Sequence, residues 1–317
     1  MADAERSLTA FFIGDVALDD YYTAERWPGL ADKAYIRENK SYVGGMIANA
    51  ASVHAGLGGP TEFISLLNHS PLSRRLCDEL NRVGVATTHM LHDADVPNSH
   101  NMIFLVGGEH VVLIGDTGEP PMVLPAPALE ALRKPGYLYI TTARAKRLRG
   151  DGLAGAELLA DLRAHGRKLV FDLDVHGFQP VDLEYLEGAD ILIMNEIGFG
   201  LSFGTPDLAA INAWMREHGV RIVIRTLAAS GAEAYDGTGM IKVPGYEVPV
   251  VDVTGAGDTF GGALVYAIGR SQDLQSAMEF AIAAASRAVT IEGPQGGVAT
   301  AEVVEQFRKD HAASRRG

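Results

Sequence analysis

The residues best placed to do chemistry lie together in the run Val251-Asp252-Val253-Thr254-Gly255-Ala256-Gly257-Asp258-Thr259-Phe260-Gly261-Gly262. A turn with two glycines opens a stretch of helical periodicity, so several backbone N–H groups are left without intrahelical acceptors. Such a helix start binds anions. Asp258 puts a carboxylate inside that turn, where it would repel a ligand merely cradled there. Phosphoryl transfer from ATP to an alcohol needs both features. The N–H groups of Gly255, Ala256 and Gly257 would stabilise charge on the migrating group, and Asp258 would take the proton of the attacking hydroxyl. An aspartate in a first turn also caps helices, so this run alone leaves a purely structural role open.

A second run, Gly44-Gly45-Met46-Ile47-Ala48-Asn49-Ala50-Ala51 followed by Gly56-Leu57-Gly58, has residue types suited to a polyol. Paired glycines let a ligand approach the backbone, and Asn49 offers both a donor and an acceptor to hydroxyl groups. The two runs, in this order and about 200 residues apart, resemble the two signatures of the ribokinase/PfkB family of carbohydrate kinases. The resemblance implies a ribokinase-like three-layer α/β fold with a largely parallel central sheet, flanking helices and a small β lid. It implies ATP as phosphoryl donor, Mg2+ with the phosphates, and a small sugar or sugar-like acceptor held by Asp19, Gly44, Gly45 and Asn49. It assigns nucleotide binding to Asn195, Thr226, Gly231 and Gly257, the last three lying in or after Thr226-Leu227-Ala228-Ala229-Ser230-Gly231 and in the late turn. Asp252 and Thr254 fall where relatives bind a monovalent cation such as K+, and Gly293-Pro294-Gln295-Gly296 where they close the adenine pocket. A homodimer joined through the lid follows from the same resemblance. A nucleoside acceptor, or a kinase homologue that binds ligands with little transfer, are the alternative readings.

Three positions depart from the family pattern. It carries Asn-x-x-Glu after a late strand, with the Glu helping to arrange magnesium and phosphate. Here the run is Asn195-Glu196-Ile197-Gly198, so glycine stands in the place of that Glu. Ala228 replaces a usual glycine, and Met46 stands where some sugar kinases carry lysine.

The elements that must position these residues read as alternating short apolar runs and longer helical patterns, the mark of a parallel sheet covered by helices. Core strands are predicted at Ala10–Gly14, Thr61–Ser65, Tyr137–Thr141, Lys168–Leu173, Ile191–Met194 and Arg221–Thr226. Helices are predicted at 72–83, 152–165, 207–218, 258–269, 276–291 and 300–313. Gly166 and Gly219 act as C-cap signals. Ala34–Val43 and Ser99–Ile114, the latter turning at Gly107–Gly108, break the rhythm. They suggest a lid of roughly 20–43 and 98–115 within one α/β domain spanning 1–317.

Composition sets the remaining bounds. With 317 residues and 47% hydrophobic content the chain can bury a large core. A net charge of −13 argues against nucleic-acid and anionic-membrane partners, which need a basic face. One cysteine, Cys77, cannot form an internal disulfide, and the polar Met1–Thr9 has no signal-peptide character, so a cytoplasmic protein is expected. Rival motifs fit poorly. Gly255-x-Gly257 lacks the third glycine of a dinucleotide loop at the required spacing. Gly200-Leu201-Ser202-Phe203-Gly204 spells a hydrolase elbow but lies too far past its strand. His89 and His92 lack a third metal ligand nearby. Asp172, Asp174 and His176 alternate at a strand end, and Arg144 follows another, where any of them could reach a cleft or serve only to cap and solvate.

Overall fold

The computed structural model describes residues 8–107, 109–205 and 207–315. Met1–Ser7, most of the polar leader, and Gly108 of the expected turn lie outside them. In chain order the strands used below are β1 (Ala10–Ile13), β2 (Ala17–Ala24), β3 (Ile36–Gly44), β4 (Thr61–Ile64), β5 (His100–Val106), β6 (Glu109–Ile114), β7 (Gly136–Ile140), β8 (Arg167–Asp174), β9 (Ile191–Asn195), β10 (Ile222–Thr226), β11 (Ala232–Tyr235) and β12 (Met240–Val243). The helices are α1 (Met46–Gly56), α2 (Pro71–Arg82), α3 (Gly155–Ala164), α4 (Glu196–Phe203), α5 (Leu208–Glu217), α6 (Ala256–Gly269), α7 (Leu274–Ala288) and α8 (Ala301–Asp310).

The central sheet has the order β12-β11-β10-β9-β8-β7-β1-β4. Every neighbour from β4 to β10 is parallel, and β11 and β12 are added antiparallel at one edge. The parallel strands are buried on both faces, as their near-continuous apolar sequences require. Alternate residues of one strand enter different cores. Phe12, Tyr139, Val170 and Ile193 pack under α1, α6, α7 and α8. Phe11, Ile140, Phe171 and Leu192 pack under α3, α4 and α5 on the opposite face. This is the expected three-layer α/β architecture. All six predicted core strands are present, and α3 and α5 end before Gly166 and Gly219, both at positive φ. The β11–β12 hairpin was not anticipated. Its turn, Asp236-Gly237-Thr238-Gly239, is held by Asp236 Oδ1, which accepts from Thr238 and Gly239.

The chain leaves β1 for β2 and β4 on one side and returns through β7 to β10 on the other. Beyond the carboxyl ends of β1 and β7 is therefore the point where strand order reverses, and crevices form there. A second sheet, β3-β2-β5-β6, departs from this edge. It coincides with the two segments that break the βα rhythm but begins at Ala17, earlier than expected. Asp19 therefore sits on β2 of this small sheet and not at the end of β1.

Arg167 fixes the opposite edge of the central sheet. It is 2% exposed, stacks over Phe11 at 5.0 Å, and donates to the carbonyls of Leu132 (2.8 Å), Ala131 (2.8 Å) and Thr9 (3.0 Å). Burial lowers its pKa to about 10, so it stays charged at neutral pH. Arg167→Met would strip several buried carbonyls of their donor and should cost about 3 kcal/mol in a urea unfolding experiment. A loss below about 1 kcal/mol would show that water replaces those bonds without penalty.

Candidate active site

The two glycine-rich runs, far apart in sequence, meet through their helices. α1 and α6 lie side by side because Gly262 has no side chain. A Cβ there would collide with the Ala50 carbonyl. Gly261 likewise makes room for the Tyr139 hydroxyl. This close approach brings Asn49 to Asp258, and Asn49 Nδ2 donates to Asp258 Oδ2 at 2.8 Å. Asn49 is 5% exposed, and its Oδ1 has no protein donor among the described residues. A buried carbonyl oxygen left this way costs roughly 1–3 kcal/mol unless a ligand supplies the donor.

Asp258 lies in the first turn of α6, behind Gly255, which caps the helix in the left-handed region (φ 75°). The N–H groups of Gly255, Gly257 and Asp258 have no protein acceptor among the described residues, and the space beside the Gly257 Cα is open. Ala256 differs. Its N–H donates to the Val253 carbonyl at 3.2 Å, so the turn itself uses the donor expected to face an anion. The Asp258 carboxyl is half-buried. Burial pushes its pKa up to about 8, the Asn49 hydrogen bond opposes this, and the charges of Asp172 and Asp174 add to the rise. Asp172 lies beneath the site, 6% exposed, and accepts from the Tyr139 hydroxyl at 2.5 Å. Burial likewise raises its pKa, to about 6.

The rest of the polyol-type set extends from Asn49. Gly45 caps α1, and its carbonyl accepts from the Asn49 N–H at 2.8 Å. Gly44 ends β3 opposite the Asp19 carboxylate, which occupies the volume a side chain would need. Asn101 Nδ2, from the neighbouring β5, donates to Asp19 Oδ1 at 2.8 Å. Burial raises the Asp19 pKa, partly countered by that bond. Asn101 was not singled out from sequence. Its role depends on the β2–β5 register, which places it directly opposite Asp19.

A second group lines the ends of adjacent strands. Asn195 closes β9 and caps α4, its Oδ1 accepting from the N–H groups of Ile197 and Gly198 at 3.0 Å each. Its Nδ2 donates to Asp174 Oδ1 on β8 at 3.3 Å. Thr226 is its register partner on β10. The following loop turns through Ala228, left-handed at φ 47°, and Gly231 at φ 101°. An alanine in that conformation is strained by about 1 kcal/mol, which accounts for the glycine the family pattern favours there. Asp252 accepts from the N–H groups of Thr254 and Gly293, both at 2.9 Å. Burial works to raise its pKa, but these bonds outweigh it and hold the carboxyl below its usual value. The loop after α7 is also tied to the small sheet, because Gln295 Nε2 donates to the Val43 carbonyl at 3.3 Å.

Other candidates fall away from this set. Ser202 lies inside α4 with its hydroxyl engaged by the Gly198 carbonyl and the Phe178 N–H, so no hydrolase elbow exists. His89 stacks on Phe11 and His92 on His69. No group of three His, Cys, Asp or Glu that could hold a metal ion occurs among the described residues. Arg144 pairs with Asp15 across the ends of β1 and β7. Cys77 packs on the core from α2.

The profile of the pfkB family carbohydrate kinases matches residues 9–301. The chain is 25% identical to ribokinase of Bacillus subtilis over 93% of its own length and 97% of that protein. It is 27% identical to a nucleoside kinase of Methanothermobacter thermautotrophicus over 96% of each chain. The solved structure of Arabidopsis thaliana ribokinase complexed with ribose and ATP shares its fold, with a TM-score of 0.83 at 23% identity over 95% of this chain and 99% of that one. By the extent of the profile match and the fold, the chain belongs to the pfkB family of carbohydrate kinases.

Proposed function

We propose that this protein transfers the γ-phosphoryl group of ATP to a hydroxyl of a small sugar, with Asp258 as the general base. The observation that carries the reading is the helix start where unpaired N–H groups and a carboxyl of raised pKa adjoin Asn49, whose Oδ1 lacks a donor. Asp19, Gly44, Gly45 and Asn49 hold the acceptor, and Asn101 steadies Asp19. Asp258 takes the hydroxyl proton as the acceptor oxygen forms its bond to the γ-phosphorus. The bond from that phosphorus to the bridging oxygen breaks, and ADP leaves. The N–H groups of Gly255 and Gly257 stabilise charge on the moving group. A base whose pKa lies near the working pH suits the proton step.

Asn195, Thr226 and Gly231 line the nucleotide side. Magnesium, bound with the phosphates, would neutralise their charge. Hard oxygen donors of the kind it takes are present at the ends of β8 and β9. A K+ ion at Asp252 and Thr254 would use carboxylate directions that the two N–H groups leave free. The β3-β2-β5-β6 sheet serves as a lid over the acceptor, which excludes water from the transfer. Pairing of two such lids in a homodimer and a cytoplasmic location complete the proposal. No described helix is long and apolar enough to cross a membrane, and the charge of −13 disfavours a nucleic-acid partner. A nucleoside is the second acceptor class, supported by the similarity to a nucleoside kinase.

ADP formation from Mg-ATP across a panel of pentoses, hexoses, sugar acids and nucleosides tests the activity and ranks the acceptors. With the preferred acceptor, Asp258→Asn should lower kcat by roughly 10²–10⁴-fold while ATP affinity changes little. Turnover near that of the wild type would refute the assignment.

The raised pKa has its own test in the ligand-free protein. Native Asp258 keeps its proton up to about pH 8, whereas the unfolded chain releases it near the ordinary carboxyl value of about 4. The native state therefore binds more protons between these limits, and this group's contribution makes stability fall as pH rises through that window. Asp258→Asn should flatten the fall and raise Tm at pH 8. A variant whose Tm tracks the wild type at every pH would show that the carboxyl is unperturbed.

A further inference from the structure

Gly198, where the family pattern carries glutamate, has no room for a side chain. A Cβ there would collide with the Asp174 carbonyl and press on the Gly177 N–H. The turn after β8 is lodged against the first turn of α4. The N–H groups of His176 and Gly177 both donate to the Leu173 carbonyl at 3.0 Å, and Phe178 N–H donates to Ser202 Oγ at 2.9 Å. Phe178 is buried and stacks on Trp214 at 4.9 Å, so the turn is anchored in the core.

The same turn presents a different carboxylate. The β8–β9 register shifts between Asp172 and Asp174, and Asp174 takes a left-handed backbone with φ 42°. Irregularities of this kind re-aim a side chain at the end of a strand. Asp174 Oδ1 accepts from Asn195 Nδ2. Its Oδ2 has no donor, and no Lys, Arg or His pairs with it among the described residues, whereas Asp172 beside it is satisfied by Tyr139. Asp174 ends β8 two residues after Asp172, whose partner Tyr139 reaches Gly261 one turn along α6 from Asp258, so the two carboxylates border one cleft. The orphaned Asn49 Oδ1 beside Asp258 is an independent sign that this cleft is built around a ligand. A bare carboxylate next to Asn195 and Thr226 would repel a polyphosphate unless a cation stood between them.

We propose that Asp174 supplies, from β8, the carboxylate that relatives carry on the helix at the position of Gly198, and that it positions the divalent cation accompanying the nucleotide phosphates. Gly198 is then not a lost function but the opening through which the turn bearing Asp174 reaches the phosphate edge. The inference rests on the kinase reading above and adds a residue to it.

The test is calorimetric binding of a non-hydrolysable ATP analogue, with and without Mg2+, to the wild type, Asp174→Asn and Glu196→Gln. Asparagine can still accept from Asn195, so the local fold is kept. Mg2+ should tighten wild-type binding by a factor within the roughly 5- to 150-fold range typical of coupled ligands. In Asp174→Asn that gain should shrink below about threefold, while metal-free binding holds or tightens because a repelling charge is gone. Glu196→Gln should keep the wild-type gain. An unchanged Mg2+ gain in Asp174→Asn, equal weakening of both states, or loss of the gain in Glu196→Gln would each overturn the proposal. A wild type that binds no nucleotide under either condition would instead overturn the kinase reading, and this inference with it.

Discussion

The hydrogen bond from Asn49 to Asp258 joins α1 to α6 across 209 residues of sequence, and the geometry of the cleft depends on it. It requires the two helix backbones to touch, hence the bare α-carbon of Gly262 against the Ala50 carbonyl. It fixes the carboxyl, and it turns the other end of the Asn49 amide toward whatever supplies the missing donor. The opposing electrostatic effects can be ranked. A helix N-terminus favours a nearby carboxylate by about 0.3–1 kcal/mol, and the Asn49 bond acts in the same direction. Burial, with Asp172 and Asp174 nearby, outweighs both, since the net result is a pKa of about 8. The helix terminus therefore does not serve mainly to keep Asp258 ionised. Its free N–H groups remain available for a second anion.

This arrangement relates the two sheets. The central sheet holds Asn195, Thr226 and Asp174 at neighbouring strand ends, while the small sheet brings Asp19 and Asn101 from the other side. The loop after α7 joins the small sheet to the segment before α6, through Gln295 to the end of β3 and through Gly293 to Asp252. Motion of the small sheet would be felt at Asp252 through that loop. In the proposed reaction this links closure over the acceptor to the cation and nucleotide side.

Much of this framework is legible in the sequence, for physical reasons. Parallel strands buried on both faces must be continuously apolar, so β1, β4, β7, β8, β9 and β10 stand out. Glycines that end α3 and α5 mark themselves by the left-handed conformation they adopt. The β11–β12 hairpin is hidden because its strands have only four residues each. β2 is hidden because two aspartates and two tyrosines interrupt any apolar pattern. In the site, the glycine-rich runs and Asp172 could be read as candidates, but Asn101 and Tyr139 could not. Their importance comes from register and burial, which no local spacing encodes. Gly198 is the instructive case. Sequence shows a missing carboxylate, and only the packing of the Asp174 turn shows why no side chain fits and which carboxylate stands nearby.

The most direct test of the central claim is a crystal structure with a non-hydrolysable ATP analogue and the preferred acceptor both bound. The account predicts the reacting hydroxyl within about 3 Å of the Asp258 carboxylate, and the γ-phosphate over the N–H groups of Gly255 and Gly257. An Asp258 side chain turned from the hydroxyl, or a γ-phosphate held elsewhere with those N–H groups facing protein atoms, would contradict it.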